Sequence, residues 1–402
     1  MADLPDLDDF QTRAAAFLAE HATAEPPSSA EDPRGHKAMA VAKAYQAALT
    51  DAGLAGLGYP VEYGGQGLPP EYEDVWRTEA GRYPRVAAIL SISHGMCLPM
   101  LHEYGTPEQR AAYQAKVIRG DEVWCQMFSE PGAGSDVASL QSRAVLDGEE
   151  WVLNGQKVWT TSAHLCERGI VIARTDPDQP KHRGISMFII DMRAPGVEIR
   201  PIHQIDGGMR FNEIFFTDVR IPADHQIGTL NEGWRLATAM LMYERVAIGT
   251  GTKDGVLHER ADKLINEARR RGRIDDPVIR QELMKMYSAE VGQSLMSLRS
   301  RAEMEAGKTP GPGGSLGKLA GSRIAAAYRD LSLSIVGPSS VAGEGDGIWA
   351  KEALTTFSSG IAGGTNEIQR NIIGERVLGL PREPSVDKDL PFRELRVGTQ
   401  TS

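Results

Sequence analysis

Near Trp124 the hydrophobic repeat of this chain changes from a helical period to alternation, and after Gly233 it changes back. Two such switches within 402 residues exceed what one hydrophobic core supports, so they predict several packed units with a β unit in the middle. Ahead of the first switch, Ala-rich amphipathic segments at 8–22, 37–52, 70–80, 84–102 and 107–118 read as helices, interrupted by the Gly- and Pro-rich loop Gly58–Pro69. In the middle third, Asp147-Gly148 and Asn154-Gly155 punctuate short strands and signal a hairpin. Strands at 169–174, 184–191 and 213–221 follow, separated by turns around Pro177, Pro180 and Pro195, which predicts a compact antiparallel β domain or barrel. The last third reads as helices at 234–271, 278–306, 317–334 and 365–378, with a Gly/Pro loop at 307–314, and long helices with short connections predict a bundle. The tail after Pro381 is polar and aperiodic, and is expected to be ordered only where it docks on a neighbour.

Composition removes several classes of function. With 44 Lys plus Arg against 54 Asp plus Glu, the net charge of -10 argues against a broad nucleic-acid surface. The basic run Arg269–Arg273 is too short to reverse that and reads as a solvated helix end. No apolar run is long enough to cross a bilayer, and the acidic start MADLPDLDDF resembles neither a secretory signal nor a transit peptide, so a cytoplasmic protein is expected. Cys97, Cys125 and Cys166 are far apart in the sequence without metal-ligand spacing, which predicts buried thiols and no metal site.

Two catalytic signatures fail on context. Gly313-Gly314-Ser315-Leu316-Gly317 matches the nucleophile elbow of hydrolases, but EAGKTPGP before it offers no strand, so Ser315 is read as a loop or capping serine. Gly307-Lys308-Thr309 resembles the end of a phosphate-binding loop, yet Ala302 stands where the first glycine must be. More informative is AMLMYERVAIG, residues 239–249, in which Glu244 has apolar neighbours three and four positions away: Met240, Leu241, Ala247 and Ile248. A carboxylate on such a stripe is either paired and structural or held ready to take a proton near neutrality, and the second reading is adopted. Two further segments, EPGAGSD at 130–136 and Gly363-Gly364-Thr365-Asn366, present bare backbone at a turn and at a helix start, as either simple turn and cap or cofactor contact.

Together, EPGAGSD, then NGQKVWTTS at 154–162, then GGTNEIQRNIIGERVLGLP at 363–381 resemble the acyl-CoA dehydrogenase family, over nearly the whole chain from Gly58 to Glu383. The resemblance implies an α+β fold: an N-terminal helical domain (1–124), a central antiparallel β domain (125–232), a C-terminal four-helix bundle (233–381) and a tail (382–402). It also implies FAD between the β domain and the bundle. By position, Gln126, Phe128 and Ser129 would meet the flavin ring and Ser135 would lie near the phosphates. Trp159 and Thr161 match the family's WxT element, whose indole flanks the isoalloxazine and whose threonine meets its N5 edge, while Thr365 and Glu367 match contacts to the adenosine end.

The reaction so implied is α,β-dehydrogenation of an acyl-CoA thioester to the trans-2-enoyl-CoA, with electrons passed to an electron-transfer flavoprotein by a homodimer or homotetramer. The commonest family position for the base is here Gly363, which keeps only a backbone N–H for the thioester oxygen. Glu244, before Arg245, matches the alternative base position of isovaleryl-CoA-like and long-chain-like members, and Arg245 matches the helix arginine beside the active site. The family's Arg-x-x-Phe element is reduced to Arg271 or Arg273 without the Phe, and Ser334 and Pro338 replace a glutamine and a glycine in SIVGPSS. Two alternatives therefore stay open: a subunit of a heteromeric dehydrogenase whose partner supplies contacts, and an acyl-CoA oxidase. The acyl group itself is not legible, with straight-chain, branched and sterol-side-chain thioesters all compatible.

Overall fold

A computed structural model describes residues 4–22, 27, 31–249, 258–306, 312–340, 342, 347–382, 384 and 388–395, with the side chains of 244–249, 301, 304 and 305 excepted. The chain divides into two compact units, the first made of residues 1–244 and 385–402 and the second of residues 245–384.

In the first unit the amphipathic segments become α1 (Leu7–His21), α2 (His36–Asp51), α3 (Pro70–Ala80) and α5 (Pro107–Arg119). Asp6 caps α1 by accepting from the Asp8 and Asp9 N–H groups, and Thr106 and Gln109 close a capping box on α5. The expected helix at 84–102 is only partly formed: a 3-10 turn at Ala88–Leu90 and a π turn at Ser93–Cys97 precede α4 (Leu98–Tyr104). Pro99 gives the reason, since it lacks an N–H and its ring would strike the carbonyl one turn earlier in a regular helix.

The middle third forms one eight-stranded sheet in the order β6-β7-β3-β2-β4-β5-β8, with β1 added to β4. Its strands are β1 (Trp124–Met127), β2 (Arg143–Asp147), β3 (Glu150–Thr161), β4 (Arg168–Arg174), β5 (Ile185–Asp191), β6 (Val197–Pro201), β7 (Phe211–Pro222) and β8 (Gln226–Ile227). The sheet is mainly antiparallel, but β1 runs parallel to β4, and β2 meets β4 in parallel at Arg143 and Arg174. Of the two Asx-Gly pairs, Asp147-Gly148 turns the β2–β3 hairpin, whereas Asn154-Gly155 lies within β3 at a register shift against β7. Gly155 has φ +144°, and a Cβ there would lie 2.3 Å from Ser142 Oγ, so the glycine serves close packing and not chain reversal.

Both faces of the central strands are covered, which explains why GIVIAR and SMFII read as continuous apolar runs. Ile170, Ile172, Met187 and Ile189 join one core with Phe10, Leu49, Met100 and the start of α6 (Gly233–Gly249), through Leu236, Ala237 and Met240. Val171, Ala173, Phe188 and Ile190 join the other with Trp151, Leu153 and Met39 and Ala42 of α2. The tail docks on its own chain: Phe392 N–H donates to Gln179 O and Arg393 N–H to Pro177 O, and the Arg174 guanidinium stacks 3.7 Å above the Phe392 ring.

The second unit contains α7 (Glu259–Arg270), α8 (Pro277–Glu305), α9 (Gly314–Val336), α10 (Ile348–Thr355) and α11 (Asn366–Ile372). Leu264 and Ala268 of α7, Ile279 and Leu283 of α8, Leu331 and Ile335 of α9 and Trp349 of α10 share its core, a four-helix bundle. The expected span 234–271 is helical at both ends, and 250–257 between them lies outside the described residues. Helix α10 was not legible because it is two turns long and its only start signal is Gly347. Among the described residues, no helix is long and apolar enough to cross a membrane, and no group of three or more His, Cys, Asp or Glu is placed to hold a metal.

Candidate active site

The end of β3 departs from regular pairing. Lys157 faces Ile214 on β7 and Thr160 faces Asn212, so Val158 and Trp159 form a bulge between them. Trp159 adopts φ +63° there, a left-handed conformation that a bulky L-residue enters at about 1–2 kcal/mol. The conformation turns the indole outward, where it is 59% exposed and meets Phe211 edge-on, ring centroids 6.1 Å apart. A strained backbone that presents a large aromatic to solvent is a departure that strand pairing does not account for. Thr160 points inward, Thr161 is half-buried, and Ser162, again left-handed at φ +53°, donates its N–H to Arg210 O.

A second segment is locked to this bulge. Val158 N–H donates to Ser129 O at 2.9 Å, and the fully buried Lys157 ammonium donates to Phe128 O at 3.0 Å and to Glu130 Oε1 at 2.8 Å. Glu130 also accepts from the Gln141 and Ser142 N–H groups, and its own N–H and C=O pair with Ala133 to close the EPGA turn. Burial would raise the Glu130 carboxyl, but Lys157 and the two N–H groups outweigh it and hold it below the usual carboxylate range. Burial pulls Lys157 the other way, below the usual lysine value, and Glu130 restores only part of that. The ammonium is nonetheless the form that matches its surroundings, because both of its contacts are acceptors.

The structure therefore brings Phe128 and Ser129 together with Trp159 and Thr161, while Gln126 is half-buried at the end of β1 and Ser135 lies exposed on the same loop as Ser129. The sequence alone assigns no role to Lys157 or Glu130, although both lie inside the NGQKVWTTS and EPGAGSD motifs. The signal available was a lysine amid the apolar residues of a strand.

Except for Glu244, the remaining site residues belong to the second unit. Gly363 and Gly364 have φ of +67° and +86°, and Thr365 caps α11 by accepting from Ile368 N–H. Fully buried Gln369 donates to Gly363 O at 2.9 Å, so the glycine loop is fixed from within its own helix. Glu367 is held below the usual carboxylate range by its own N–H at the helix start and by Arg370, with which it pairs at 2.9 Å. Arg271 donates to Glu267 Oε1 at 2.6 Å and to Val336 O at 3.3 Å. Ser315 is the second residue of α9 and fully buried, with no strand assigned before it in the described residues. Glu244 and Arg245 lie on α6, and their side chains are outside the described residues.

These elements have counterparts in known proteins. The N-terminal, middle and C-terminal domains of the acyl-CoA dehydrogenases match residues 5–121, 125–219 and 231–378. The chain belongs to the acyl-CoA dehydrogenase family. Like other acyl-CoA dehydrogenases it is a flavin-dependent oxidoreductase with FAD as cofactor, and the outward indole of Trp159 beside Ser129 suits a planar ring system. It is 37% identical over 387 residues to acyl-CoA dehydrogenase IpdE1 of Mycobacterium tuberculosis, covering 94% of this chain and 99% of that one. It is 28% identical over 336 residues to the human mitochondrial short-chain specific acyl-CoA dehydrogenase, covering 81% and 80%. Among solved structures, the Tcur3481-Tcur3483 steroid ACAD is similar with a TM-score of 0.77 and 27% identity, covering 95% of this chain and 100% of that one.

Proposed function

We propose that this acyl-CoA dehydrogenase oxidises a steroid-derived acyl-CoA thioester to the trans-2-enoyl-CoA, with Glu244 as the base and an electron-transfer flavoprotein as acceptor. The observation that carries the reading is the strained, outward Trp159 locked through Val158 to Ser129. The similarity to the Tcur3481-Tcur3483 steroid ACAD supports the substrate class. In this reading the domains are 1–124, 125–232, 233–381 and a tail of 382–402, and the protein works in the cytoplasm.

FAD supplies the two-electron oxidation of a carbon–carbon single bond. The chain's own residues do the rest. Gln126, Phe128 and Ser129 bind the flavin ring, Trp159 flanks it, Thr161 hydrogen-bonds its edge, and Ser135 binds near the phosphates. Thr365, Glu367 and Arg271 serve the adenosine end. The Gly363 N–H donates to the thioester oxygen and so makes the α-proton acidic enough to leave. Glu244 takes that proton, and its apolar neighbours on α6, including fully buried Met240, keep water from levelling its basicity. Arg245 fixes the orientation of the base.

Glu244→Gln is expected to retain flavin and acyl-CoA binding and to abolish bleaching of the flavin by substrate. Bleaching at the wild-type rate in that variant would remove Glu244 from the mechanism. A panel of steroid, straight-chain and branched acyl-CoAs, compared by kcat/KM, tests the substrate class.

A second reading, one subunit of a heteromer, is favoured by the internal commitments of the second unit: Arg271 is held by Glu267, and Ser334 Oγ donates to Asp330 O. Flavin bound by the chain purified alone would reject that reading. A colourless protein that turns yellow only with a co-expressed relative would support it.

A further inference from the structure

Arg174 is the last residue of β4, and its buried side chain joins three stretches of the first unit. Nη2 donates to Ala138 O at 2.7 Å, while Nη1 donates to Lys181 O and to Arg183 O, each at 2.9 Å. Its backbone N–H donates to Ser142 O at 2.7 Å. One arginine thus grips both ends of residues 138–142, which carry the chain from the EPGAGSD turn into β2. Its own loop also holds the turn, since Lys181 Nζ lies 3.1 and 2.9 Å from the two carboxylate oxygens of Asp136. Burial lowers the Arg174 guanidinium to about 10, so it stays charged at neutral pH. A buried cation facing neutral carbonyls needs further compensation, and the C-terminal tail provides it. The Phe392 ring, itself buried, stacks 3.7 Å from the guanidinium as a desolvated cation–π contact. The tail is fastened to the same loop: Phe392 N–H donates to Gln179 O at 2.9 Å, Arg393 N–H to Pro177 O at 3.1 Å, and the Arg393 guanidinium pairs with Asp178 at 2.8 Å.

We propose that Arg174 and Phe392 are positioning residues for the bend at Ser135, through which the C-terminal tail sets how tightly the chain holds the phosphates of its cofactor. The bend hangs between two clamps. Glu130, held by Lys157 and paired with Ala133, fixes its first half. Arg174 and Lys181 fix its second half, where the Ser139 hydroxyl also donates to Asp136. Between the clamps packing contributes little: a Cβ built on Gly134 would meet nothing within 4 Å, and Ser135 is exposed. The place of the Ser135 hydroxyl therefore follows from the anchors on either side, and the second anchor is seated by a ring from the far end of the chain. The inference rests on the proposed placement of Ser135 near the phosphates.

The test uses the full chain freed of flavin. Phe392→Leu keeps an apolar side chain in the seat but removes the ring face, and is expected to weaken FAD binding about fivefold. Riboflavin, which carries the ring system without phosphates, should bind the variant as it binds the wild type, and Phe392→Tyr should restore the affinity for FAD. Wild-type FAD affinity in Phe392→Leu, or an equal loss for FAD and riboflavin, would overturn the positioning role. Amide hydrogen exchange reads the mechanical link with no ligand present. Phe392→Leu should speed exchange at the Ser139 and Leu140 N–H groups, which close the turn onto Asp136 O and Val137 O, and leave the β3–β7 amides unchanged. Unchanged exchange at Ser139 and Leu140 would overturn the proposal. If the wild-type chain takes up no flavin at all, the functional reading falls, while the exchange rates still decide this one.

Discussion

Replacing Glu130 by Gln isolates the device that holds the Phe128–Ser129 and Trp159 segments together. The substitution keeps the shape of the side chain and one acceptor, but leaves the Lys157 ammonium, with no exposed surface, without its counter-ion at 2.8 Å. Removing one partner of a buried pair costs on the order of 3–5 kcal/mol. Here a ceiling exists, because Lys157 can instead fold as the neutral amine. From the ordinary lysine value of 10.5, that deprotonation costs about 4.8 kcal/mol at pH 7 and about 2 kcal/mol at pH 9, at about 1.36 kcal/mol per pH unit. In the variant the unfolded chain binds a proton that the folded chain does not, so its stability rises with pH and the deficit shrinks between pH 7 and 9. In the wild type the Glu130 carboxyl is depressed, so its contribution is full above the usual carboxylate range and is lost as pH falls through the folded value. Melting of flavin-free wild type and Glu130→Gln at pH 7 and pH 9 measures the deficit and its narrowing, and the deficit at pH 7 corresponds to roughly 6–20 °C. A difference under about 2 °C at pH 7, or one that does not narrow at pH 9, would show that the pair does not carry the load assigned to it.

Two further substitutions separate folding from function. Trp159→Gly removes the left-handed strain of about 1–2 kcal/mol against a glycine entropy cost of about 0.5–1 kcal/mol, so flavin-free melting should stay level or rise while FAD binding weakens. A fall of more than about 5 °C would refute the strain argument. Gly155→Ala sets a methyl against the Ser142 backbone and hydroxyl at a φ of +144°, and should destabilise the β unit by about 1–3 kcal/mol or more in urea titrations. An unchanged midpoint would mean that β3 shifts freely at that bulge.

Much of the fold follows from periodicity, because each switch in repeat changes what the backbone can pair with. The covered strands, the caps at Asp6 and Thr106 and the bundle helices are local facts that a sequence carries. Features that depend on distant register are not. Trp159 looks like any strand aromatic until β7 sets Thr160 against Asn212 and forces the bulge, and Asn154-Gly155 looks like a turn until Ser142 crowds it. Lys157 becomes interpretable only once Glu130 approaches from a different segment of the chain. The family is legible in the motifs, and the mechanical support of the segments that carry them is not.

The docked tail gives the molecule an unusual connectivity. Because Phe392 and Arg393 return to the β unit that the chain left after Glu244, the helical unit is an insertion tethered at both ends, and not a terminal appendage. If the insert unfolds while the tail stays seated, its disordered chain must still close a loop, at an entropy cost of roughly 4 kcal/mol for a segment of that length. The folded insert, in turn, keeps the tail near its seat over Arg174. The covalent connection by itself thus lets each unit favour the other, and trimming the tail before Leu390 should weaken that link between their melting events.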